Sequence, residues 1–390
     1  MGSHFPQLWR YSNTATGKIH IAIEKLHRQY GPIVRISPNE LSFASVESWK
    51  AIYGHAGPDK AIAIKSPFYD VFGAGFRKSC IGSERNPKKH SEMRRMLSSA
   101  FSQRSLLEQE DIVARIIDRF IEILGKKSGK GSQGFNMTKW YEMVGFDILG
   151  EMAFGESFHS LEEGKPHFWS ELVEDHLYLI TLIDNLSRLP LVATIAKIIF
   201  PSTLVVQNKN SKYSRRQMEK RLSSKTGKMD FLSSLVERVR NGEVDKEEMT
   251  AHVSTLAIAG GETVSTFLAS TTFFLLKNQV VLDKLTAEIR GEFGTFDEIE
   301  AQKAQQLSYL QAVINEGLRL DRRGSHACHQ VLSCMVNLSR QAAWAVTHDP
   351  KYFEDPMQFK PERWIDPHTR DVKEASQPFS LGPRGCLGRK

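Results

Sequence analysis

The sequence is short of the features that mark a membrane bundle or a disulfide-stabilised secreted domain. Its 390 residues include only four cysteines, at Cys80, Cys328, Cys334 and Cys386. These cysteines lack the regular spacing of a disulfide framework, which favours a reducing compartment. The most apolar stretch, residues 177–206, contains charged residues and two prolines, so it lacks the uninterrupted run that a membrane-spanning helix needs.

The charge pattern also lacks the basic clusters that nucleic-acid-binding proteins present. Lysine and arginine number 52 against 45 aspartates and glutamates, a net charge of +7, but the two signs are interspersed. Aromatic residues do not alternate with the basic ones, so we expect no nucleic acid partner. An acidic protein suits the positive excess better, and peripheral contact with a membrane stays open.

What the sequence does contain is helical periodicity over much of its length. Hydrophobic residues make up 41% and charged residues 25%, values typical of a globular protein. Apolar spacing predicts helices over residues 18–30, 106–124, 137–154 and 249–276. Ile33–Ile36 and Leu41–Phe43 read as two strands of a hairpin, and the polar, basic residues 207–228 as a surface link between helical halves. We therefore predict a mainly α fold with a small β lobe.

The glycine-rich run PFSLGPRGCLG near the C-terminus has the composition of a loop that holds a thiolate. Gly382 and Gly388 would let backbone amides approach the sulfur of Cys386, and Arg384 adds a nearby positive charge. Phe379 would shield the sulfur from water, and a shielded thiolate is a strong ligand for haem iron. The alternative is a glycine-rich turn with an incidental buried cysteine.

Two further segments supply charges that could pair inside the fold. Glu316 and Arg319 are three residues apart on a predicted helix and therefore lie on one face. The later run FKPERW supplies a second arginine, Arg363. A solvated surface pair is the alternative for an isolated Glu-x-x-Arg.

An apolar helix contains the pentapeptide Ala259-Gly260-Gly261-Glu262-Thr263. Two successive glycines inside a helix cost about 0.8–1 kcal/mol each relative to alanine, which calls for a reason. A glycine pair allows another group to approach the backbone, and the acid and alcohol that follow could relay protons. A helix kink or close helix packing is the alternative.

A fourth motif, HSEMRR followed by AFS, places His90 and Arg94 four residues apart on a predicted helix. Alone it could equally be an exposed basic helix face. In their order and separation, however, the four motifs resemble those of the cytochrome P450 family, and the resemblance spans nearly the whole chain. It implies a single cytochrome P450 domain over residues 1–390.

The resemblance assigns roles on the proximal and propionate sides of a haem b cofactor. It implies that Cys386 is the axial thiolate in a loop shaped by Phe379, Gly382 and Gly388. Arg384 would pair with a haem propionate, as guanidinium groups do with carboxylates. His90 and Arg94 would contact the propionates as well.

The resemblance also assigns the distal side and the bracing of the fold. It implies that Thr263 and Glu262 deliver protons, while Ala259 and Gly260 border the oxygen pocket. Glu316, Arg319 and Arg363 would form a buried triad that braces the cysteine loop. These three residues are expected to be structural rather than catalytic.

The implied function is a haem-thiolate monooxygenase of fungal secondary metabolism. Such an enzyme inserts one oxygen atom from O2 into a hydrophobic small molecule, with electrons from NADPH delivered by NADPH–cytochrome P450 reductase. The family resemblance also implies a monomer on the cytosolic face of the endoplasmic reticulum. A reductase-independent rearranging enzyme, an inactive haem-fold protein and a non-enzymatic haem carrier remain alternatives.

Three parts of the sequence depart from the family pattern. Residues 321–341 lack the usual proline-containing turn, the chain stops at Lys390 soon after Cys386, and no N-terminal anchor segment precedes the hairpin. We expect a gene-model irregularity at 321–341 and a missing C-terminal helix. His326, Cys328, His329 and Cys334 lie in this irregular stretch, but their spacing suits an ordinary loop better than a zinc site.

Overall fold

The computed structural model describes residues 5–55, 57, 62–129, 131, 134–172, 201–223, 232–320 and 339–389. They form a mainly helical structure with a small sheet, as the sequence predicts. The first elements are α1 (Phe5–Ala15), α2 (Ile19–Tyr30), β1 (Ile33–Ser37), β2 (Glu40–Phe43), α3 (Val46–Tyr53), α4 (Pro87–Ser98), α5 (Gln103–Leu107), α6 (Glu110–Lys127), α7 (Met137–Phe154) and α8 (Ser160–Glu163). The later elements are α9 (Pro201–Ser223), α10 (Ser233–Arg240), α11 (Lys246–Lys277), α12 (Gln279–Glu292), α13 (Ala301–Ala304), α14 (Ser308–Leu320), β3 (Ser339–Gln341) and α15 (Ala343–Thr347).

The β lobe joins an N-terminal hairpin to a short strand from the C-terminal part of the described chain. Strands β1 and β2 pair antiparallel, which confirms the predicted hairpin, and β3 adds to β2 in parallel. Gln341 of β3 donates to the carbonyl of Ser45 (2.9 Å) and accepts from the hydroxyl of Ser48 (2.5 Å) at the start of α3. A sheet of only three strands is held by such cross-chain bonds and by the apolar cluster against α2.

The helical part is organised around the contact between α7 and α11. Gly261 of α11 lies against the ring of Phe146, where an added Cβ would be 2.7 Å from Cε2. From the other side, a Cβ on Gly145 would lie 3.2 Å from the Gly261 carbonyl oxygen. The two helices thus approach closely because both carry glycine at the crossing, and packing accounts for one of the two glycines in α11.

The predicted surface link over residues 207–228 is wrong for the part that the structure describes, because α9 continues to Ser223. Its buried side carries polar residues, so apolar periodicity did not reveal the helix. Asn210 accepts from the indole N–H of Trp169 (2.8 Å) and donates to Ser254 of α11 (3.1 Å). These hydrogen bonds offset the free-energy cost of burying polar side chains at positions where hydrophobic residues usually lie.

The other predicted helices agree with the structure in type. The stretch 137–154 coincides with α7 and 249–276 lies within α11, whereas 106–124 is divided between α5 and α6. Within the described residues, no helix is both long and apolar enough to span a membrane. The irregular segment, with His326, Cys328, His329 and Cys334, lies outside the described residues except for β3 at its end.

Candidate active site

The cysteine loop is shaped by backbone bonds and by its contact with the N-terminal lobe. The N–H of Cys386 donates to the carbonyl of Phe379 (2.8 Å), which closes the loop. Gly382 has φ +61°, and a Cβ there would collide with the carbonyl oxygen of Tyr53 at the end of α3. The loop therefore requires glycine at 382, and it leaves Cys386 exposed.

Arg94 of α4 lies against this loop. Its Nη1 donates to the carbonyl of Gly385 (2.5 Å). Burial lowers the pKa of the Arg94 guanidinium, Arg389 lowers it further, and the charge of Cys386 raises it. The structure therefore places the positive charge of Arg94 beside the thiol of Cys386.

Next to the loop, His90, Arg384 and Lys65 form a second group of positive or potentially positive side chains, which we call the cationic cluster. Burial lowers the pKa of His90 to about 3, and Arg384, Lys65 and Arg94 lower it as well. Burial likewise lowers the pKa of Lys65 to about 7, with Arg384 contributing. Arg384 donates to the carbonyl of Glu84 at 3.4 Å, but its buried Nη2 has no partner among the described residues.

The distal candidates lie on α11. Ala259, Gly260 and Thr263 occupy one exposed face, and the Thr263 hydroxyl donates to the Ala259 carbonyl (2.7 Å). Glu262 is only 5% exposed and lies on a different face of the helix. The structure thus brings Thr263 together with Ala259 and Gly260, and it separates the acid from the alcohol by one helical step.

The structure brings Glu316, Arg319 and Arg363 together in a buried ion network. Arg319 donates two bonds of 2.8 Å to the Glu316 carboxylate, and Arg363 Nε donates to the same carboxylate at 3.1 Å. All three side chains are at most 2% exposed. We call this group the ion triad.

Sequence reasoning missed most of the partners of the ion triad. Trp364 donates its indole N–H to Glu316 (3.0 Å), and Asp371 forms an ion pair with Arg363. The centre of the Phe353 ring lies 5.0 Å from the Arg319 guanidinium carbon and 5.8 Å from the guanidinium carbon of Arg363. The FKPERW run contained Trp364, whereas no pattern in the sequence connects Phe353 or Asp371 with Glu316.

Sequence reasoning also missed Lys65, which lies between α3 and α4. Its ammonium donates to the carbonyls of Ile81 (2.7 Å) and Gly82 (2.6 Å). The same turn is fixed from α11, because His252 Nδ1 accepts from the N–H of Ile81 (3.1 Å). Neither α-helical nor β-strand spacing marks this segment, so periodicity gave no signal for Lys65.

The side chains around the cysteine loop fit the haem that the sequence resemblance implies. Cys386 offers an exposed thiol with Arg94 beside it, and Arg384 and Lys65 of the cationic cluster offer positive charge for carboxylates. The unpartnered Nη2 of Arg384 is a donor that a propionate would satisfy. On α11, the nearest atom outside the helix to a Cβ added at Gly260, among the described residues, is Leu149 Cδ1 at 4.0 Å, which leaves room beside the backbone.

Comparison with known proteins agrees with this fit. The family model described as Cytochrome P450 matches residues 3–339 and 340–390. The cytochrome P450 monooxygenase BOT4 of Botryotinia fuckeliana is 57% identical over 98% of this chain and 74% of its own length. The cytochrome P450 monooxygenase ORF9 of Penicillium roqueforti (strain FM164) is 52% identical over 98% of this chain and 77% of its own length.

A more distant relative is named for its activity. The trichothecene C-15 hydroxylase of Fusarium sporotrichioides is 32% identical over 96% of this chain and 78% of its own length. Among solved structures, the haem domain of cytochrome P450DA superposes with a TM-score of 0.72 at 17% identity, covering 95% of this chain and 82% of that one. At this identity the likeness shows the fold, which is the cytochrome P450 fold.

Proposed function

This chain belongs to the cytochrome P450 family as a cytochrome P450 monooxygenase, and we propose that it inserts one oxygen atom from O2 into a hydrophobic small molecule. The observation that carries the proposal is the exposed thiol of Cys386 in a loop closed by its own N–H, with Arg94 beside it. An exposed cysteine sulfur in a loop closed by a backbone bond, with a guanidinium beside it, is suited to bind haem iron.

Haem b would be held from both sides of the loop. Cys386 would bind the haem iron through its sulfur, with Phe379 shielding the sulfur and Gly388 allowing close approach. Arg384, His90 and Arg94 would face the propionates. When bound, the haem supplies the oxygen chemistry, and the thiolate donates electron density to the iron.

Thr263 and Glu262 would handle protons on the distal side. The Thr263 hydroxyl already donates to the Ala259 carbonyl, so its oxygen remains an acceptor for a proton-bearing group at the exposed face of α11. Glu262 lies buried one residue earlier on a different face of the helix, and its part in proton delivery is what the family resemblance implies. Ala259 and Gly260 have no bulky side chain and would border the space for oxygen.

The substrate would be apolar, since the same face of α11 continues with Val264, whose side chain is 51% exposed. Fungal secondary metabolism is supported by the fungal relatives, among them the enzyme named for hydroxylating a trichothecene. That substrate belongs to the relative. For this chain we propose only the class, a hydrophobic small molecule.

Electrons would come from NADPH through NADPH–cytochrome P450 reductase. Lys88, Lys89 and Arg95 are exposed or half-exposed on α4, the helix that carries Arg94 to the cysteine loop. These residues offer basic charge to an acidic partner on that side. By family resemblance we propose a monomeric, single-domain enzyme on the cytosolic face of the endoplasmic reticulum.

Replacing the two described cysteines separately tests the proposal. We expect Cys386→Ser to abolish the thiolate-type absorption band of the reduced, carbon-monoxide-bound protein and its NADPH-dependent product formation with reductase. Cys80→Ala is the matched control, because Cys80 is buried outside the loop, and it should keep both. An unchanged band in Cys386→Ser would overturn the assignment. A normal band without NADPH-dependent oxygen consumption would favour the reductase-independent rearranging enzyme.

A further inference from the structure

Lys65 is unusual because the fold places its ammonium beside another positive group. It lies half-buried between α3 and α4, where the charge of Arg384 acts on Lys65 and the charge of Lys65 acts on His90. Burying an ammonium next to a guanidinium costs free energy unless an anion lies close to both. The depressed pKa of Lys65, about 7, expresses that cost.

The protein positions this ammonium firmly. Two of its three N–H groups donate to the carbonyls of Ile81 and Gly82 at 2.7 and 2.6 Å. The carbonyl of Lys65 accepts from Arg85 Nε (2.9 Å), and its Nζ lies 5.2 Å from the centre of the Tyr69 ring. A side chain fixed in this way has a defined direction for its third donor.

The negative charge near the cluster is already engaged. Burial lowers the pKa of Lys65, and the carboxylate of Glu84 is a negative charge near both Lys65 and Arg384 that opposes this shift only in part. It also accepts from the Ser79 hydroxyl (2.6 Å) and from the N–H of Asn86 (2.7 Å). One carboxylate held in this way leaves a net positive charge across Lys65, Arg384 and Arg94, and Arg384 Nη2 lacks a partner among the described residues.

We propose that Lys65 is a further cofactor-holding residue, whose ammonium binds a haem propionate together with the guanidinium of Arg384. The inference rests on the proposed haem site and adds a contact from the segment between α3 and α4. A carboxylate there would accept from Lys65 and from Arg384 Nη2 at once. Such charge-assisted hydrogen bonds are roughly twice as strong as neutral ones.

The rate of haem loss tests this contact and requires no catalytic turnover. The rate at which the ferric protein transfers haem to excess apomyoglobin should rise at least about tenfold in Lys65→Met, because a charge-assisted bond is lost. Lys78→Met is the matched control, because Lys78 is an exposed lysine of the same segment. It should stay within about twofold of the unchanged protein.

A cofactor without charged propionates separates cofactor holding from loop support. Lys65 also fixes the turn at Ile81 and Gly82, so Lys65→Met could accelerate haem loss by loosening that turn. With the iron porphyrin whose propionates are methyl esters, we expect Lys65→Met to change the loss rate by less than about twofold, since the carboxylate is gone.

Each outcome decides the inference. Equal acceleration for haem and its ester would assign Lys65 to loop support alone and overturn the proposal, as would no acceleration with haem. If the unchanged protein takes up no haem, the proposed function fails as well. If the protein takes up haem with the thiolate-type band, but Lys65→Met does not change the rate of haem loss, only the role of Lys65 is wrong.

Discussion

Two buried groups of charges in this protein are built in opposite ways. In the ion triad, the Glu316 carboxylate accepts from Arg319, Arg363 and Trp364, and the two guanidiniums also donate to backbone carbonyls. The cationic cluster collects positive groups around one shared carboxylate and leaves a guanidinium nitrogen without a partner among the described residues. A charge group complete within the chain stabilises the fold, whereas an incomplete one indicates a ligand of opposite sign.

The largest effect should follow from removing the negative charge of the ion triad. Glu316→Gln leaves two buried arginines with less compensation, so we expect the free energy of unfolding to fall by about 3–5 kcal/mol. Urea denaturation of the haem-loaded protein measures it. Glu374→Gln is the control, because Glu374 is exposed, and it should change stability by less than about 0.5 kcal/mol. A loss below about 1 kcal/mol for Glu316→Gln would remove the contrast between the two groups.

A smaller effect should distinguish the packed side of α11 from its open side. An added methyl at Gly261 meets the ring of Phe146, so Gly261→Ala should destabilise the protein by about 1–3 kcal/mol. At Gly260 the nearest atom is Leu149 Cδ1 at 4.0 Å, so Gly260→Ala should be neutral or stabilise by up to about 1 kcal/mol. Thermal unfolding of the two variants checks the sign. Equal destabilisation would show that both glycines serve packing.

The smallest expected effect is a change of pH dependence in the incomplete group. His90 has a pKa of about 3 in the folded, haem-free chain, against about 6.5 for an unperturbed histidine. Between these values the unfolded chain binds the proton and the folded chain does not, so stability falls as pH drops through this window. Besides burial, Arg384, Lys65 and Arg94 oppose the charge on His90.

We therefore expect His90→Gln to flatten the loss of stability between about pH 6.5 and pH 5, measured by urea denaturation of the haem-free chain. His368→Gln is the matched control, because His368 is exposed, and it should keep the slope. An unchanged slope in His90→Gln would mean that His90 takes up its proton normally in the fold.

The sequence predicted those parts of the structure that local patterns specify. The bounds of α7 and most of α11 followed from apolar spacing, and the pairing of Glu316 with Arg319 followed from their separation on one helix. The order and separation of the motifs also predicted roles for the residues around Cys386, and these roles stay predictions. Such features depend on neighbours within a few residues or on a family motif.

The remaining features depend on contacts between distant segments. Asn210 and Ser214 are polar residues on the buried side of α9, so the sequence resembled a surface link. Lys65 owes its position to the turn at Ile81, which is fixed in turn by His252 of α11. Such arrangements satisfy hydrogen bonds without leaving a periodic trace in the sequence.

The close contact between Gly382 and the Tyr53 carbonyl also affects the order of folding. The loop that carries the sulfur takes its shape from a helix near the opposite end of the chain, and Arg94 reaches it from almost as far away in sequence. Contacts of such long range form late, after the entropy of closing large loops has been lost. During synthesis, cofactor capture should therefore be a post-translational event that waits for both halves of the polypeptide to dock.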